Sequence, residues 1–534
     1  MRTLKNKLIK FAVLLMALVM AAPVFTGCMT PDDDVVPEGA TVIYLHMWES
    51  GYGIDWMEQI VKNYNEKETG VYVKMDSSAL RDKATLPAVA KTDYDVFIAD
   101  NSGFYKESLV SNFKGYDSTY IEITDVVKSK YGEEDKTLEE KMVADIRDFA
   151  NVDGKYYFLP LINNNWGLTY NVELMEDYDL PKTTEEFFSL LEDMKDDDSI
   201  ESPIIFSGDT DYWDPVLWTW WAQYDGIDSY EAFYRGEDVN GKQTADIFAN
   251  RGRLLALQTL ERVLTPSNGY CDENSTGYQY MQAQVKYLSG SSAFMANGGW
   301  LEKEMEETFA GNEHSTIDVL ETPVISSIVE KLSFYTDGEY ENLSPSAVKT
   351  YDEKLVQIID YVDGGMQGNK PSFATNEDIA IVKEARDVFY LDGQTFGAAI
   401  PCYTDNADEA KDFVKYLYSD EVAKLICDFN VGGMLPISHD FLTEDDIADL
   451  PQMTKSMIGI LERKQMITTQ LNSKMVYDGG LTDFRMPGTM EVLFGSVNDA
   501  DRKTANEVFM FDYEYYHTGN AWKNLLAAGA PIVG

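Results

Sequence analysis

Residues 155–182 constrain the fold more than any other part of the sequence, because they join two strand-like runs through a polar interruption. Tyr156–Leu161 is an aromatic and aliphatic run, Asn163–Trp166 is a polar patch ending in an indole, and Gly167–Asn171 is again strand-like. A helix with good start residues follows at Thr183. This order suits a segment that passes between two lobes and exposes side chains on the way.

The size and charge of the chain narrow the possible functions. With 534 residues, of which 44% are hydrophobic, the chain can fill a large core and is expected to form two or more lobes. The net charge of −47 repels nucleic acid and anionic membrane surfaces, so neither is an expected partner. The aromatic fraction of 13% fits either ordinary core packing or a carbohydrate cleft, where flat rings stack on sugar faces.

The N-terminal residues predict export and anchoring. The first ten residues carry four basic side chains and no acidic one, and the apolar run Phe11–Phe25 is too short to span a membrane. The run ends in F-T-G-C, which resembles a bacterial lipobox and implies removal of residues 1–27 and lipid on Cys28. An ordinary signal peptide cut nearby and an uncleaved anchor remain alternatives. Residues 28–39 predict an acidic, disordered tether.

Strand and helix patterns alternate after this tether. Thr41–Leu45, Val71–Met75 and Tyr94–Ala99 have the composition of strands, and an amphipathic helix capped by Asp55 is predicted between the first two. This alternation predicts an α/β sheet.

Polar and aromatic residues follow two of these strands. Trp48 and Glu49 come after the first strand, and Asp100 and Asn101 come after the third. Ligands of α/β sheets bind beyond the carboxyl ends of the strands, and a carboxylate accepts two hydrogen bonds from a sugar diol. We therefore expect these four residues to contact a ligand. The alternative is that Trp48 packs beneath its own loop and Asp100 only caps a helix.

Residues 155–187 resemble the inter-lobe crossing of the extracellular solute-binding proteins of ABC importers, in the family-1 group that includes the maltose-binding proteins. The residues that fit the crossing are Tyr157, Leu159, Pro160, Gly167, Leu168, Tyr170, Asn171, Leu180, Pro181, Thr183, Glu186 and Phe187. The resemblance implies an α/β, two-lobed periplasmic-binding-protein-like fold with a hinge and an inter-lobe cleft. It also places Asn164 and Trp166 at that cleft.

A second stretch, Lys286–Leu301, resembles another signature of the same family. The residues that fit are Gly290, Ala293, Phe294, Met295, Asn297, Gly298 and Trp300. In relatives the tryptophan at the position of Trp300 stacks on the sugar, so the resemblance implies a ligand contact here. A tryptophan that only packs between the lobes is the alternative.

Three further residues are weaker candidates for the cleft. The segment Asp211–Trp221 holds four of the nine tryptophans, and most of them are expected in the core. Trp213, just before the predicted helix, is the best ligand candidate among the four. Gly397–Asp412 resembles the strand and loop before a late helix of the family, and Tyr403 in that loop could reach the cleft. Arg485 precedes Pro487 in a turn that resembles the late cleft-lining turn of the family.

The resemblance also predicts how the chain divides between the lobes. The strand at Ile317–Ile325 resembles the second crossing. The first lobe is then expected to comprise residues 40–160 and 323–420, and the second lobe residues 165–320 and 430–534. Residues 338–375 depart from the family pattern and are interpreted as an insertion, which forms either a lid over the cleft or, as we favour, a surface flap.

The sequence shows no motif for catalysis or for a cofactor. It contains no Walker lysine loop, no H-E-x-x-H and no G-x-S-x-G, and its four histidines are scattered, so we expect no cofactor and no metal centre. Calcium at the acidic loop of residues 196–198 is left open. Three cysteines remain besides Cys28, and buried free thiols are favoured over a disulfide between Cys402 and Cys427.

Together these observations predict a substrate-binding protein of an ABC transporter, lipid-anchored on the outer face of the cell membrane. It would act as a monomer, capture a carbohydrate and deliver it to the permease subunits. Several aromatic residues favour an oligosaccharide over a monosaccharide. A surface glycan-adhesion lipoprotein and an extracellular glycoside hydrolase are the alternatives, and the hydrolase would need a carboxylate pair about 5–10 Å apart.

Overall fold

The computed structural model describes residues 36–78, 93–100, 118–310, 312–429, 431–467, 474–477, 479–482, 484–485, 493–495 and 502–529. For residues 99–100, 164–165, 391–395, Met434, Lys474 and Tyr477 it describes the main chain alone. Residues 1–40 form one unit and residues 41–534 a second, compact unit, whose fold is given below. The predicted lipidation site at Cys28 lies outside the described residues.

Strands from both lobes join into one mixed sheet. Its strands are β1 Thr41–Trp48, β2 Val71–Ser78, β3 Val96–Asp100, β4 Phe158–Asn171, β5 Ser202–Ile204, β6 Ser292–Gly298, β7 Ile317–Leu320, β8 Val388–Ala399 and β9 Gln465–Ile467. Their order is β2-β1-β3-β8-β4-β6-β5, with β7 paired to β4 and β9 paired to β8. β1 runs parallel to β2 and β3, whereas β8 is antiparallel to β3 and β4.

Helices cover the sheet, as expected for an α/β fold. Those of the described residues are α1 Asp55–Glu66, α2 Thr124–Val127, α3 Leu138–Lys141, α4 Ala144–Ala150, α5 Thr184–Lys195, α6 Asp214–Asp225, α7 Ile227–Tyr234, α8 Arg251–Leu264, α9 Tyr280–Leu288, α10 Leu301–Met305, α11 Pro345–Asp363, α12 Asn376–Asp387, α13 Ala407–Tyr416, α14 Asp420–Asp428, α15 Glu444–Ala448, α16 Gln452–Arg463, α17 Lys474–Tyr477, α18 Ala505–His517 and α19 Ala521–Gly529.

Local sequence explains where two of these helices begin. The hydroxyl of Thr183 accepts a hydrogen bond from the main-chain N–H of Glu186 at 3.2 Å, which caps α5 as predicted. Helix α1 differs from the prediction, because its cap is Ile54 and no side chain bonds to its free N–H groups. Asp55 is instead the first helical residue, where its negative charge interacts favourably with the positive end of the helix dipole.

Two long strands, β4 and β8, pass from one lobe to the other. The first half of β4 pairs with β8, and its second half pairs with β6 and β7. The pairing continues through the crossing, where Asn164 lies opposite Asp392, and its register shifts on both sides of Ile162. Such irregularities bend a strand, so this antiparallel ribbon is the natural place for a hinge.

The second crossing therefore differs from the one expected at Ile317–Ile325. β7 pairs with the second half of β4 and stays in the second lobe, and the chain returns to the first lobe through β8. The segment expected to rejoin the first lobe at residue 323 packs elsewhere: Ile328, Leu355 and Val382 are fully buried in the core of the second lobe. A strand followed by an x-P pair cannot by itself distinguish these two paths.

The insertion at residues 338–375 has a structural role in the second lobe. Its main helix, α11, buries Leu355, Ile358 and Ile359 in the second core. Ser344 caps this helix through a hydrogen bond from the N–H of Ala347. The insertion is therefore neither a lid nor a loose flap in this structure.

The cysteines and the helices bear on two further expectations. Within the described residues no disulfide joins Cys271, Cys402 or Cys427, and Cys427 is buried. Among the described helices none combines the length and hydropathy required of a membrane span. The described residues also contain no group of three or more His, Cys, Asp or Glu side chains placed to hold a metal ion.

Candidate functional site

The strand directions bring several loops to one place between the lobes. β1 and β3 are parallel, so their carboxyl ends at Trp48 and Asp100 share an edge of the first lobe. β6 ends where its Gly298 pairs with Trp166, directly after the crossing. β5 is parallel to β6, so the loop that follows it also lies at this edge of the second lobe.

Six aromatic side chains from both lobes meet at these ends, and we call them the inter-lobe aromatic cluster. They are Trp48, Tyr52, Trp166, Tyr212, Trp300 and Phe396. The ring of Trp48 stacks on Phe396 with centroids 5.0 Å apart, and Tyr52 packs edge-on against the same Phe396 at 5.9 Å. Tyr52 also contacts Trp300 across the lobes at 6.4 Å.

The second lobe completes the cluster with three mutually packed rings. Trp300 lies 5.0 Å from Trp166 and 5.8 Å from Tyr212, and the last two are 5.4 Å apart. Trp48 and Trp300 are each 7% exposed. Because rings of the two lobes pack against each other, a ligand can reach their faces only after the lobes separate.

Gly298 fixes the position of the Trp300 ring. The chain turns after β6 so that the indole folds back over Gly298, and a Cβ there would lie 1.9 Å from a ring carbon of Trp300. Real Cβ atoms do not approach other atoms so closely, so only glycine permits this ring position. The G-G-W sequence of the family signature thus has a direct steric reason in this chain.

Polar atoms without a protein partner lie beside the rings. Asn163 is fully buried at the crossing, and neither its amide nitrogen nor its amide oxygen has a hydrogen-bond partner. The indole N–H of Trp166 and the amide oxygen of Gln284 are buried and unpartnered as well. Buried polar groups normally find partners, so these atoms indicate a site that a ligand or water completes.

A partly buried carboxylate adds a hydrogen-bond acceptor at the same place. Glu304 accepts a hydrogen bond from the amide of Gln284 at 2.9 Å, next to Trp300. Burial raises the pKa of the Glu304 carboxyl, while the bond from Gln284 opposes that shift. Burial likewise raises the pKa of the Tyr212 phenol. Hydrogen bonds that a ligand makes in such a desolvated region are stronger than bonds made in water.

Three predicted residues lie at this edge, namely Glu49, Asp100 and Asn164. Glu49 is exposed directly after β1. Asp100 ends β3 and Asn164 lies in the crossing, and for both the structure describes only the main chain. Asn101 lies outside the described residues. Their proposed contacts with a ligand stay predictions.

Three other candidates are not part of the cluster. Trp213 is fully buried in the core of the second lobe, because the turn before α6 directs its ring inward while the adjacent Tyr212 joins the cluster. Tyr403 follows β8, whose carboxyl end points away from the cleft because β8 is antiparallel to β3. Arg485 contacts α18, with its guanidinium 4.0 Å above the ring of Tyr515.

Sequence reasoning missed several residues that the structure brings to the site. These are Tyr52, Asn163, Tyr212, Gln284, Glu304 and Phe396. Tyr52 and Glu304 follow within four residues of the predicted contacts Trp48 and Trp300, so each could have been found by extending the search along the same loop. Phe396 precedes the strand segment that was assigned to the family pattern, and no sequence feature indicates that it faces Trp48.

The comparisons with known proteins identify the family. The profile of a family described as "Bacterial extracellular solute-binding protein" matches residues 59–338, more than half of the chain. The chain belongs to this bacterial extracellular solute-binding protein family. Members of this family work outside the cytoplasm and are binding proteins rather than enzymes. No curated protein sequence matches the chain.

Solved structures show that the fold is shared along nearly the whole chain. A chitin oligosaccharide binding protein is 16% identical, with a TM-score of 0.58, and the alignment covers 92% of this chain and 100% of that one. The GacH receptor of Streptomyces glaucescens, described with acarbose, is 12% identical, with a TM-score of 0.57 and coverages of 91% and 99%. An ABC substrate-binding protein of Listeria monocytogenes in complex with cycloalternan is 12% identical, with a TM-score of 0.56 and coverages of 91% and 98%.

A concave surface lies on the outside of the second lobe. This groove has a volume of about 1680 Å³ and runs between α5 and α11. Its lining includes Leu180, Lys182, Arg262, Tyr340 and Glu353, and it shares no residue with the inter-lobe aromatic cluster. The buried unpartnered polar atoms named above also belong to the cleft and not to this groove. The cleft is therefore the better candidate for solute binding.

Replacing Gly298 with alanine is expected to disable the site while leaving both cores filled. The new methyl group would occupy the position of the Trp300 ring, so the ring must leave its place beside Trp166. Near-ultraviolet circular dichroism, which reports packed tryptophans, should change at the cluster while far-ultraviolet circular dichroism stays as in the wild type. Gly277→Ala is a matched control, because a Cβ there meets nothing within 4 Å. Unchanged near-ultraviolet spectra in Gly298→Ala would contradict this assignment.

Proposed function

We propose that this solute-binding protein captures an oligosaccharide between its two lobes and delivers it to the permease of an ABC transporter. The observation that carries the proposal is the inter-lobe aromatic cluster with its buried, unpartnered polar atoms. Indole and phenol rings offer flat apolar faces to the faces of sugar rings, and carboxylate and amide groups beside them suit hydroxyl groups. The solved relatives named above are a chitin oligosaccharide binding protein and proteins in complex with cycloalternan or acarbose, which supports the same ligand class.

In this proposal Trp166 and Trp300 stack on sugar rings from the second lobe, and Trp48 approaches from the first lobe. The Glu304 carboxylate accepts hydrogen bonds from sugar hydroxyl groups, and the Asn163 amide both donates to them and accepts from them. Further polar contacts are proposed for Glu49, Asp100 and Asn164, which share the same edges, and for Asn101, which follows Asp100 in the sequence. The lobes would rotate about the β4–β8 ribbon, open to admit the sugar and close around it. A receptor that must also release its cargo is expected to bind at about micromolar affinity, near −8 kcal/mol.

The proposal is tested by a thermal-shift panel of mono- and oligosaccharides, with product analysis of every sugar that shifts the melting temperature. A ligand at 100 times its dissociation constant stabilises the protein by about 2.7 kcal/mol, which is a measurable shift. We expect a shift with one class of oligosaccharide and full recovery of that sugar. A sugar that is cleaved during the assay would instead favour a hydrolase. Failure of every sugar to shift the melting temperature would contradict carbohydrate as the ligand.

We also propose that lipid on Cys28 anchors the protein to the outer face of the cell membrane. The support is the sequence F-T-G-C after a short apolar run. Cys28→Ser in the full chain should release the protein from the membrane fraction into the soluble fraction, because no thioether to a lipid can form. Cys402→Ser is a matched control that leaves the lipobox intact and should stay in the membrane fraction. Membrane retention of Cys28→Ser would contradict the anchor.

A further inference from the structure

A short loop of the first lobe lies directly on helix α10 of the second lobe. This loop, residues 49–54, joins β1 to α1, and we call it the closure loop. At its end, the carboxylate of Asp55 lies 2.9 Å from the ammonium nitrogen of Lys303 on α10. This contact joins residues that are 248 positions apart and belong to different lobes. It is therefore made only when the lobes are closed.

The environment of Lys303 distinguishes it from an ordinary surface lysine. Its side chain is 8% exposed. Its ammonium group also bonds at 2.7 Å to Glu306, which lies three residues further along the second lobe. From the first lobe, the ring of Phe429 lies 5.6 Å from the same nitrogen. The ammonium group thus has one carboxylate and one aromatic face from the first lobe. Ion pairs and cation–π contacts of partly buried groups are stronger than those in open water.

Glycines allow the closure loop to approach this closely. A Cβ on Gly51 would lie 3.1 Å from the carboxylate oxygen of Glu304 and 3.1 Å from the indole of Trp300. Gly53 has a φ of +65°, a conformation that other residues adopt only with strain. The closure loop can therefore lie against α10 because its two glycines have no side chains. The Asp55–Lys303 ion pair lies at the end of this loop.

We propose that Lys303 is a positioning residue that holds the lobes closed through Asp55 and the closure loop. Lys303 acts on the lobe equilibrium, while neighbouring Trp300 and Glu304 face the ligand. The apparent affinity of a protein that closes around its ligand depends on how readily the closed state forms, so this latch sets affinity without touching the sugar. Its relevance to affinity rests on the proposed function, but its effect on closure does not.

The test measures the distance between the lobes directly and without a sugar. Spin labels on unnatural amino acids at exposed Lys62 in α1 and Asp193 in α5 report the separation and leave the native cysteines in place. In 50 mM salt, the wild type is expected to show mainly the short distance. Lys303→Met and Asp55→Asn should each move at least half of the population to a longer distance, and the double variant should move it no further.

A matched control separates the latch from a general loss of charge. Lys286 lies in the second lobe and bonds to Asp272 at 2.9 Å within that lobe, so Lys286→Met should leave the distance distribution as in the wild type. Raising the salt to 500 mM should lengthen the distance between the lobes in the wild type, because salt screens the Asp55–Lys303 ion pair. The Lys303→Met variant lacks this pair, so its distance distribution should not change.

Two results would overturn the proposal. One is a Lys303→Met variant with the wild-type distance distribution and an unchanged melting temperature. The other is an additive effect of the two single substitutions in the double variant, since two residues that act through one contact cannot act independently. The outcome of the sugar panel is separate. If no sugar binds, the proposed function fails while the distance measurement still decides whether Lys303 closes the lobes.

Discussion

Replacing Trp300 with alanine is expected to weaken oligosaccharide binding by about 1.5 kcal/mol or more, roughly tenfold, while the protein stays folded. Trp300 is the ring that contacts both lobes, since it packs on Trp166 and Tyr212 in its own lobe and on Tyr52 across the cleft. Its removal takes away one stacking face and the ring that orders the others. Isothermal titration with the sugar that gives the largest thermal shift measures the loss.

The control for this prediction is a tryptophan that lies far from the cluster. Trp522 packs against Phe248 and Tyr516 in the second lobe, so Trp522→Ala should bind the sugar with wild-type affinity even if it lowers stability. Equal affinities of wild type and Trp300→Ala would remove Trp300 from the ligand site. A loss of affinity in Trp522→Ala as large as that in Trp300→Ala would show that both substitutions act through the fold.

The largest expected effect on stability comes from the buried ion pair between Arg253 and Asp512. Both residues are fully buried, and the guanidinium donates to the Asp512 carboxylate and to the carbonyl oxygen of Phe248, each at 2.8 Å. The guanidinium is also surrounded by aromatic rings with centroids 4.9–5.7 Å away. These rings belong to Trp221, Phe233, Phe248, Phe484 and Phe509. The pair thereby fixes α18 to α8 in the core of the second lobe.

Asp512→Asn is expected to cost about 3–5 kcal/mol, because it leaves the Arg253 charge buried without its counter-charge. Denaturant unfolding followed by tryptophan fluorescence measures the loss. Glu231→Gln, which removes one partner of a partly exposed pair with Arg235 at 3.6 Å, should cost at most about 0.5 kcal/mol. Replacing both Arg253 and Asp512 by apolar residues should restore part of the loss of Asp512→Asn. A change below about 1 kcal/mol for Asp512→Asn would contradict this account of the second core.

The sequence was informative where one local rule decides the structure. β-branched runs predicted β1 and β2 at their observed starts, and the Thr183 cap predicted the start of α5. The first family signature indicated the crossing at β4, whereas the ligand contact that the second signature implies for Trp300 stays a prediction. These features depend on backbone chemistry and on residues close together in the chain, so they can be read without the tertiary structure.

The predictions that differ from the structure depended on information that the sequence does not carry. Tyr403 follows a strand, but only strand pairing shows that β8 runs opposite to its neighbour and carries Tyr403 away from the cleft. Trp213 and Tyr212 are adjacent aromatic residues, and only the turn geometry decides which one is buried. Residues 338–375 lack a family pattern, so their packing in the second core could not be predicted from resemblance.

The central claim is that an oligosaccharide binds between the lobes at the inter-lobe aromatic cluster. The most direct test is a crystal structure of the protein with the oligosaccharide that gives the largest thermal shift. The account predicts a sugar ring lying flat against Trp300 or Trp166, with a hydroxyl group hydrogen-bonded to Glu304 or Asn163. A sugar bound instead in the groove between α5 and α11, or on the outer surface of one lobe, would contradict it.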